Sequence, residues 1–264
     1  MVPMPPKTKA RDAAADSPLM VNSVHKAFRV LTAFDRTEPR LTLTQIAEKL
    51  DIDKSTAQRF THTLVAMGYL DKDPVTKTLG VTVKVLDLAN IYLTTNPFIA
   101  AAMPYLIHLS QETGETVNLT VLDGTEVVFV SRIVGSHLLS TGVMLGTRLP
   151  AYTSAAGLAM LSTLDDASIK HILKVSDLRA YTPQTVYEPS KIMDRLKTAR
   201  SKGYAISMGE YYLNDISVGA PILSRTGALL GAMSLAISSD RFTAREAEAK
   251  FARLVLAAAR SVVL

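Results

Sequence analysis

The 264 residues contain no cysteine, which excludes a disulfide framework and any thiolate-held zinc, haem or iron–sulfur centre. A reducing compartment suits such a chain. No apolar run approaches the roughly 20 residues of a membrane span, and Met1 to Met20 lacks the apolar core of a secretory signal. The expectation is a cytoplasmic protein with no membrane partner. Catalytic signatures are equally scarce: His25, His62, His108, His137 and His171 lie far apart, and there is no His-Glu-x-x-His, Gly-x-Ser-x-Gly, glycine-rich phosphate loop or dinucleotide fingerprint. His108 and Glu112 stand four apart, a spacing that serves a metal pair but more often an ordinary helix-surface pair. No cofactor, metal or catalytic set is expected. An enzyme of unknown class stays an alternative that a turnover assay would decide.

The composition that is present, 48% hydrophobic and 20% charged, belongs to a chain that folds over most of its length. Its length exceeds the usual ~100–200 residues per domain, so two domains are expected. A net charge of +5 is mild, but residues 21–84 hold ten Lys or Arg against seven Asp or Glu, and the following 180 hold sixteen against fifteen. The excess sits near the N-terminus, where an anionic partner would be met.

Residues 1–20 combine four prolines with Lys7, Lys9 and Arg11 and show no periodicity, the composition of a flexible arm. From Asn22, Val24, Ala27, Phe28 and Leu31 recur at helical spacing behind a cap at Asn22 or Ser23. Leu43 to Leu50 makes a second helix. Asp53 is placed to cap a third, Lys54 to about Met67, whose apolar positions Ala57, Phe60, Leu64 and Met67 oppose Ser55, Gln58, Arg59 and His62. Asp71 to Gly80 reads as a small hairpin, or wing, carrying Lys72 and Lys77. Val83 to Leu93 reads as a linker helix, and Asn96-Pro97 marks a boundary. The expected division is an arm over 1–20, a winged helix-turn-helix over 21–82, a linker over 83–96 and a second domain over 97–264.

In that domain helices are expected at 98–111, 155–162, 165–175, 189–201 and from 243 onward. Strands are expected at 116–122, 126–134, 138–144, 203–208, 216–222 and 229–237, with hairpin turns at Asp123-Gly124 and Arg225-Thr226-Gly227. The pattern predicts an α+β fold with an antiparallel sheet flanked by helices.

A helix-turn-helix works because its second helix fits the ~12 Å major groove while the first braces it across the backbone. Arg59 reaches guanine acceptors or a phosphate, Gln58 pairs with adenine, and Thr44, Lys54, Ser55, Thr56, His62, Lys72 and Lys77 supply phosphate or base-edge contacts. The division of labour among them is open, and a solvated polar face is the plainer reading of one such helix alone. Three short helices, a wing and a local positive surplus in this order favour double-stranded DNA.

Residues 41–50 (LTLTQIAEKL), 54–59 (KSTAQR) and 67–70 (MGYL) resemble the isocitrate lyase regulator (IclR) family. So do residues 149–157 (LPAYTSAAG), Gly203-Tyr204, Gly219-Ala-Pro221 and 227–234 (GALLGAMS) in the second half. The resemblance spans about residues 21–262. It implies a winged helix, a linker helix and a GAF-like effector domain, with homodimers or tetramers acting on an operator and RNA polymerase as a further partner. Two departures stand out: Lys77-Thr-Leu-Gly80 lacks the family's usual wing aromatic, and Asn214-Asp215 replaces a frequent glycine.

The resemblance also implies an effector pocket. Thr153 or Ser154 caps an apolar helix whose first amides, near Ala155, Ala156 and Gly157, would be free for a carboxylate. By family position Ser207, Glu210, Ser217 and Ser234 close it. Leu145, Tyr152 and Met233 would offer apolar area, although core packing explains those three equally well. Residues 149–154 and 181–185 are similar to the branch that controls breakdown of aromatic acids, so a hydroxybenzoate-type effector is expected. Glu210 would accept its hydroxyl. A short keto or hydroxy acid such as glyoxylate or pyruvate is the alternative.

Overall fold

The computed structural model describes residues 19–137 and 142–264. The arm expected over 1–20 therefore falls, except for its last two residues, outside the described part. The described chain divides into two compact units, with the boundary between Thr95 and Asn96.

The first unit contains α1 (Asn22–Leu31), α2 (Leu43–Leu50), α3 (Lys54–Ala66) and α4 (Val85–Thr95). It also holds a three-stranded antiparallel sheet in the order β1 (Arg40–Leu41), β3 (Leu79–Val81), β2 (Leu70–Lys72). A capping box opens α2: the Thr42 hydroxyl accepts the Gln45 amide while the Gln45 side chain accepts from Thr42. Asp53 caps α3 as expected, accepting the Thr56 amide at 2.8 Å. Ile46, Ala47, Leu50, Ala57, Leu64, Leu70 and Leu79 form the core with Val30 and Ala33. Leu79, in the wing segment that departs from the family's usual aromatic, is buried in this core.

Three expectations fail here. α1 starts after Val21 with no side-chain cap, and Val24 and Phe28 are 53% and 55% exposed. Met67 is exposed, and the α3 core position falls to Thr61, whose hydroxyl is satisfied by the Ala57 carbonyl at 2.8 Å. The helix expected at Val83 begins two residues later, and none of its residues is buried.

The second unit is a six-stranded, fully antiparallel sheet between helices. Its order is β6 (Arg148–Pro150), β5 (Glu126–Ile133), β4 (Thr116–Asp123), β9 (Leu229–Ser238), β8 (Asp215–Leu223), β7 (Ala205–Met208). α5 (Pro97–Thr113) and α9 (Ala244–Ser261) cover one face, while α6 (Ala155–Leu161), backed by α8 (Pro189–Lys202), covers the other; α7 (Asp166–Val175) completes the helices. The faces are fixed by close approaches. A Cβ on Gly231 would fall 2.7 Å from the Phe98 ring of α5, and one on Gly219 would fall 2.8 Å from the Ala156 amide of α6. Of the strand expected over 138–144, residues 138–141 lie outside the described part and Gly142–Met144 is not strand. The strand in that region is β6, held by Arg148, which donates to Glu126 at 2.7 Å and Asp123 at 2.6 Å.

Candidate DNA face and effector pocket

In the first unit, α3 and the wing form one groove lined by Ser55, Gln58, Arg59, His62 and Lys72. The four α3 residues are exposed, as their spacing requires once Ala57, Thr61 and Leu64 turn inward. Lys54 is exposed at the helix start, and Thr44 is half-buried in the first turn of α2. Two expected contacts are already engaged. The Thr56 hydroxyl donates to Asp53 at 2.6 Å, and Lys77, in the left-handed region at φ 58°, folds its ammonium onto the Pro74 carbonyl at 2.7 Å.

In the second unit, strand pairing sets the floor of a pocket beneath the start of α6. Asn118 stands opposite Arg132 on β5 and Ser234 on β9, and Ser234 stands opposite Gly219. Side chains opposite one another share a face, so Arg132, Asn118 and Ser234 lie on the side that Gly219 turns to α6. Ser217 and Asp215 follow at two-residue steps on β8, and Ser207 pairs with Ser217 from β7. All six line the pocket, with Ser154, Ala155 and Ala156 above and Phe129, Leu149 and Tyr211 at the sides. The space among them is about 30 Å³, little more than a water molecule needs, so a larger occupant requires side chains to swing aside.

Six of the eleven expected effector residues thus come together: Ser154, Ala155, Ala156, Ser207, Ser217 and Ser234. The other five do not line the pocket. Met233 pairs with Ala220 and Leu119 on the opposite face, inside the α5/α9 layer. Glu210 is buried and held by Arg195 at 2.6 and 2.7 Å. The Tyr152 hydroxyl is occupied by the backbone of Asp177 and Arg179. Leu145 is 52% exposed. The Gly157 amide is bound by the Ser154 hydroxyl at 3.1 Å and offers no free donor.

Sequence reasoning missed Arg132, Asn118 and Asp215. A signal existed in β4, where Thr116, Asn118 and Thr120 alternate with Val117 and Leu119 although all five are buried. Polar groups on a covered sheet face need partners. Asn118 finds one: Arg132 donates to its Oδ1 at 2.8 Å. Burial pulls the Arg132 guanidinium below its ordinary value, against the charge of Asp215, which raises it. Asp215 Oδ2 accepts the Ser217 hydroxyl at 2.6 Å, while Oδ1 is sealed from solvent with no hydrogen-bond partner. Burial raises its carboxyl to about 6, against the lowering effects of Ser217 and Arg132.

A carboxyl that holds its proton more tightly folded than unfolded costs stability once ionised. For Asp215 the cost is absent below the ordinary value of 3.8, grows up to about 6 and is complete above it. Asp215→Asn should therefore gain up to roughly 3 kcal/mol at pH 7.5, less the cost of its own unpartnered amide, and lose that gain near pH 4. Urea unfolding of both proteins at the two pH values checks this. A difference independent of pH would contradict the burial argument.

His108 Nε2 lies 3.9 Å from Glu112 on an exposed face. No group of three or more His, Cys, Asp or Glu suited to a metal occurs among the described residues, nor is any described helix long and apolar enough to cross a membrane.

A helix-turn-helix with a basic groove, followed by a sheet domain with a polar pocket inside an apolar core, defines a ligand-responsive transcription regulator. Residues 23–74 match the IclR helix-turn-helix domain and residues 90–264 the bacterial transcriptional regulator IclR C-terminal domain. The chain belongs to the IclR family, whose members are DNA-binding transcription regulators rather than enzymes. It is 29% identical to the Pca regulon regulatory protein of Pseudomonas putida, over 96% of this chain and 87% of that one. It is 31% identical to the p-hydroxybenzoate hydroxylase transcriptional activator of Acinetobacter baylyi, over 82% and 81%. The crystal structure of a transcriptional regulator from Alicyclobacillus acidocaldarius superposes with a TM-score of 0.79 at 25% identity, covering 92% of this chain and 98% of that one.

Proposed function

We propose that this chain is a cytoplasmic regulator of aromatic-acid catabolism that binds its operator through α3 and the wing and is controlled by a hydroxybenzoate-type acid in the α6 pocket. Residues 21–82 act as the DNA-binding domain, 83–96 as the linker and 97–264 as the effector domain. The observation that carries the reading is the polar pocket floor, with a guanidinium, an amide, hydroxyls and a carboxyl, enclosed by apolar core. The effector's carboxylate sits between Arg132 and the start of α6, and Phe129, Leu149 and Tyr211 face its ring. The regulated genes of the two relatives, named for the Pca regulon and for p-hydroxybenzoate hydroxylase, support an aromatic acid over glyoxylate or pyruvate.

One recognition helix reads few base pairs, so the active form is a homodimer, or a tetramer built from two dimers, on a nearly two-fold site. Exposed Leu86, Leu88, Ile91 and Tyr92 on α4 support pairing. Arg59→Ala should weaken operator binding by about 1–3 kcal/mol per half-site and leave the melting temperature unchanged. Footprinting across a salt series, with sedimentation of the free protein, tests both points. An unchanged footprint and salt slope, or a monomer bound one to one, would reject them.

A further inference from the structure

We propose that Asp215 is the specificity-determining residue of the pocket, its unpartnered oxygen accepting the hydroxyl of a hydroxylated acid whose carboxylate is held at the Arg132 end. The proposal rests on the effector reading above. Asp215 here takes the role expected of Glu210, which Arg195 occupies.

Most polar groups of the floor have partners: Arg132 holds Asn118, Ser207 donates to the Thr153 carbonyl at 3.1 Å, and Ser217 donates to Asp215 Oδ2. Asp215 Oδ1 is left over, sealed and unpaired while its residue lines the same cavity. A buried acceptor left unpaired is costly, and a ligand that supplies its missing donor recovers that cost on binding. The acceptor is also selective. Ionised, it repels a carboxylate and accepts only a donor, so it favours ligands bearing O–H at that point and disfavours those with a bare ring or a methyl ether.

Placement gives the ligand its polarity. Arg132, Ser234 and Gly219 lie on one row across the sheet, and Gly219 lies directly against the start of α6. Asp215 lies four residues further along β8 from Gly219, beyond Ser217. The cation and the acceptor therefore stand at separate points of one cavity, so an acid that uses both needs its carboxylate and its hydroxyl apart. Opposite positions on one aromatic ring meet that requirement. Burial keeps the carboxyl near 6, so at pH 7.5 it is mostly ionised and available as an acceptor.

Titration calorimetry of the full chain at pH 7.5 with 4-hydroxybenzoate, benzoate and 4-methoxybenzoate, and with lactate and propionate as an aliphatic pair, tests this. The wild type should bind 4-hydroxybenzoate about tenfold or more tighter than benzoate or 4-methoxybenzoate. Asp215→Asn should shrink that ratio to within about threefold without weakening benzoate, and Asp215→Ser should do the same should the amide distort the site. Equal wild-type affinity for 4-hydroxybenzoate and 4-methoxybenzoate, or an unchanged ratio in both folded variants, overturns the role of Asp215 and leaves the aromatic effector standing. Preference for lactate over propionate that Asp215→Asn abolishes, with no benzoate bound, supports Asp215 and overturns the aromatic effector. Binding of none of the five overturns both.

Discussion

Gly157→Ala should lower the melting temperature of the effector domain by roughly 6–12 °C, against the usual gain when alanine replaces glycine within a helix. A Cβ on Gly157 would lie 2.0 Å from the Ala151 carbonyl oxygen and 2.6 Å from that residue's carbonyl carbon and α-carbon. All three are backbone atoms. No rotamer change relieves the contact, so either the three-residue 3-10 turn at Ala151–Thr153 or the first turn of α6 must lift away. Both are buried against the sheet, and overpacking of this kind costs about 3 kcal/mol or more. Thermal melts followed by circular dichroism check the sign as well as the size. A variant as stable as the wild type would mean that α6 is not seated as described.

Arg195→Met should cost about 3 kcal/mol through the carboxylate it abandons. Glu210 is 4% exposed and receives both guanidinium hydrogen bonds, while its other donor is the Val186 amide at 3.3 Å. Arg195 also donates to the Ile206 carbonyl at 3.1 Å and so ties α8 to β7. Without it a buried charge has one weak donor. Truncating both partners, Arg195→Met with Glu210→Met, should restore most of the loss, because an apolar pair of similar size carries no desolvation penalty. Chemical denaturation of the single and double variants measures the coupling. Equal losses in the two would show that packing by the arginine stem, and not the ion pair, stabilises this corner. Effector affinity of the double variant should match the wild type, since Glu210 does not line the pocket.

Strong local signals were legible in the sequence. The Asp53 cap, the hairpin at Asp123-Gly124 and most strands of the second unit are set by neighbours in the chain, and they lie within a few residues of expectation. Elements of two or three residues, such as β1 and β6, carry no periodicity to read. Thr61 shows a different limit, since a threonine that returns its hydroxyl to the preceding turn fills a core position that composition assigns to an apolar residue.

The pocket divides in the same way. Ser154, Ala155 and Ala156 are adjacent in sequence and came with the resemblance. Arg132 and Asp215 are 83 positions apart and share a cavity only because the sheet runs β5-β4-β9-β8, an order no local pattern encodes. Met233 was avoidable: with Ser234 facing the pocket, strand alternation turns its neighbour to the other side.

The exposure of α4 has a consequence for how the protein responds to dilution. An isolated helix of eleven residues is marginal in water, and this one has no buried residue. In the paired form proposed above, order in α4 comes from association, so its folding and the protein's assembly are one mass-action equilibrium. Melting temperature then rises with protein concentration, and operator occupancy falls more steeply on dilution than a single-site isotherm allows. Cellular copy number becomes a control on the promoter alongside the effector.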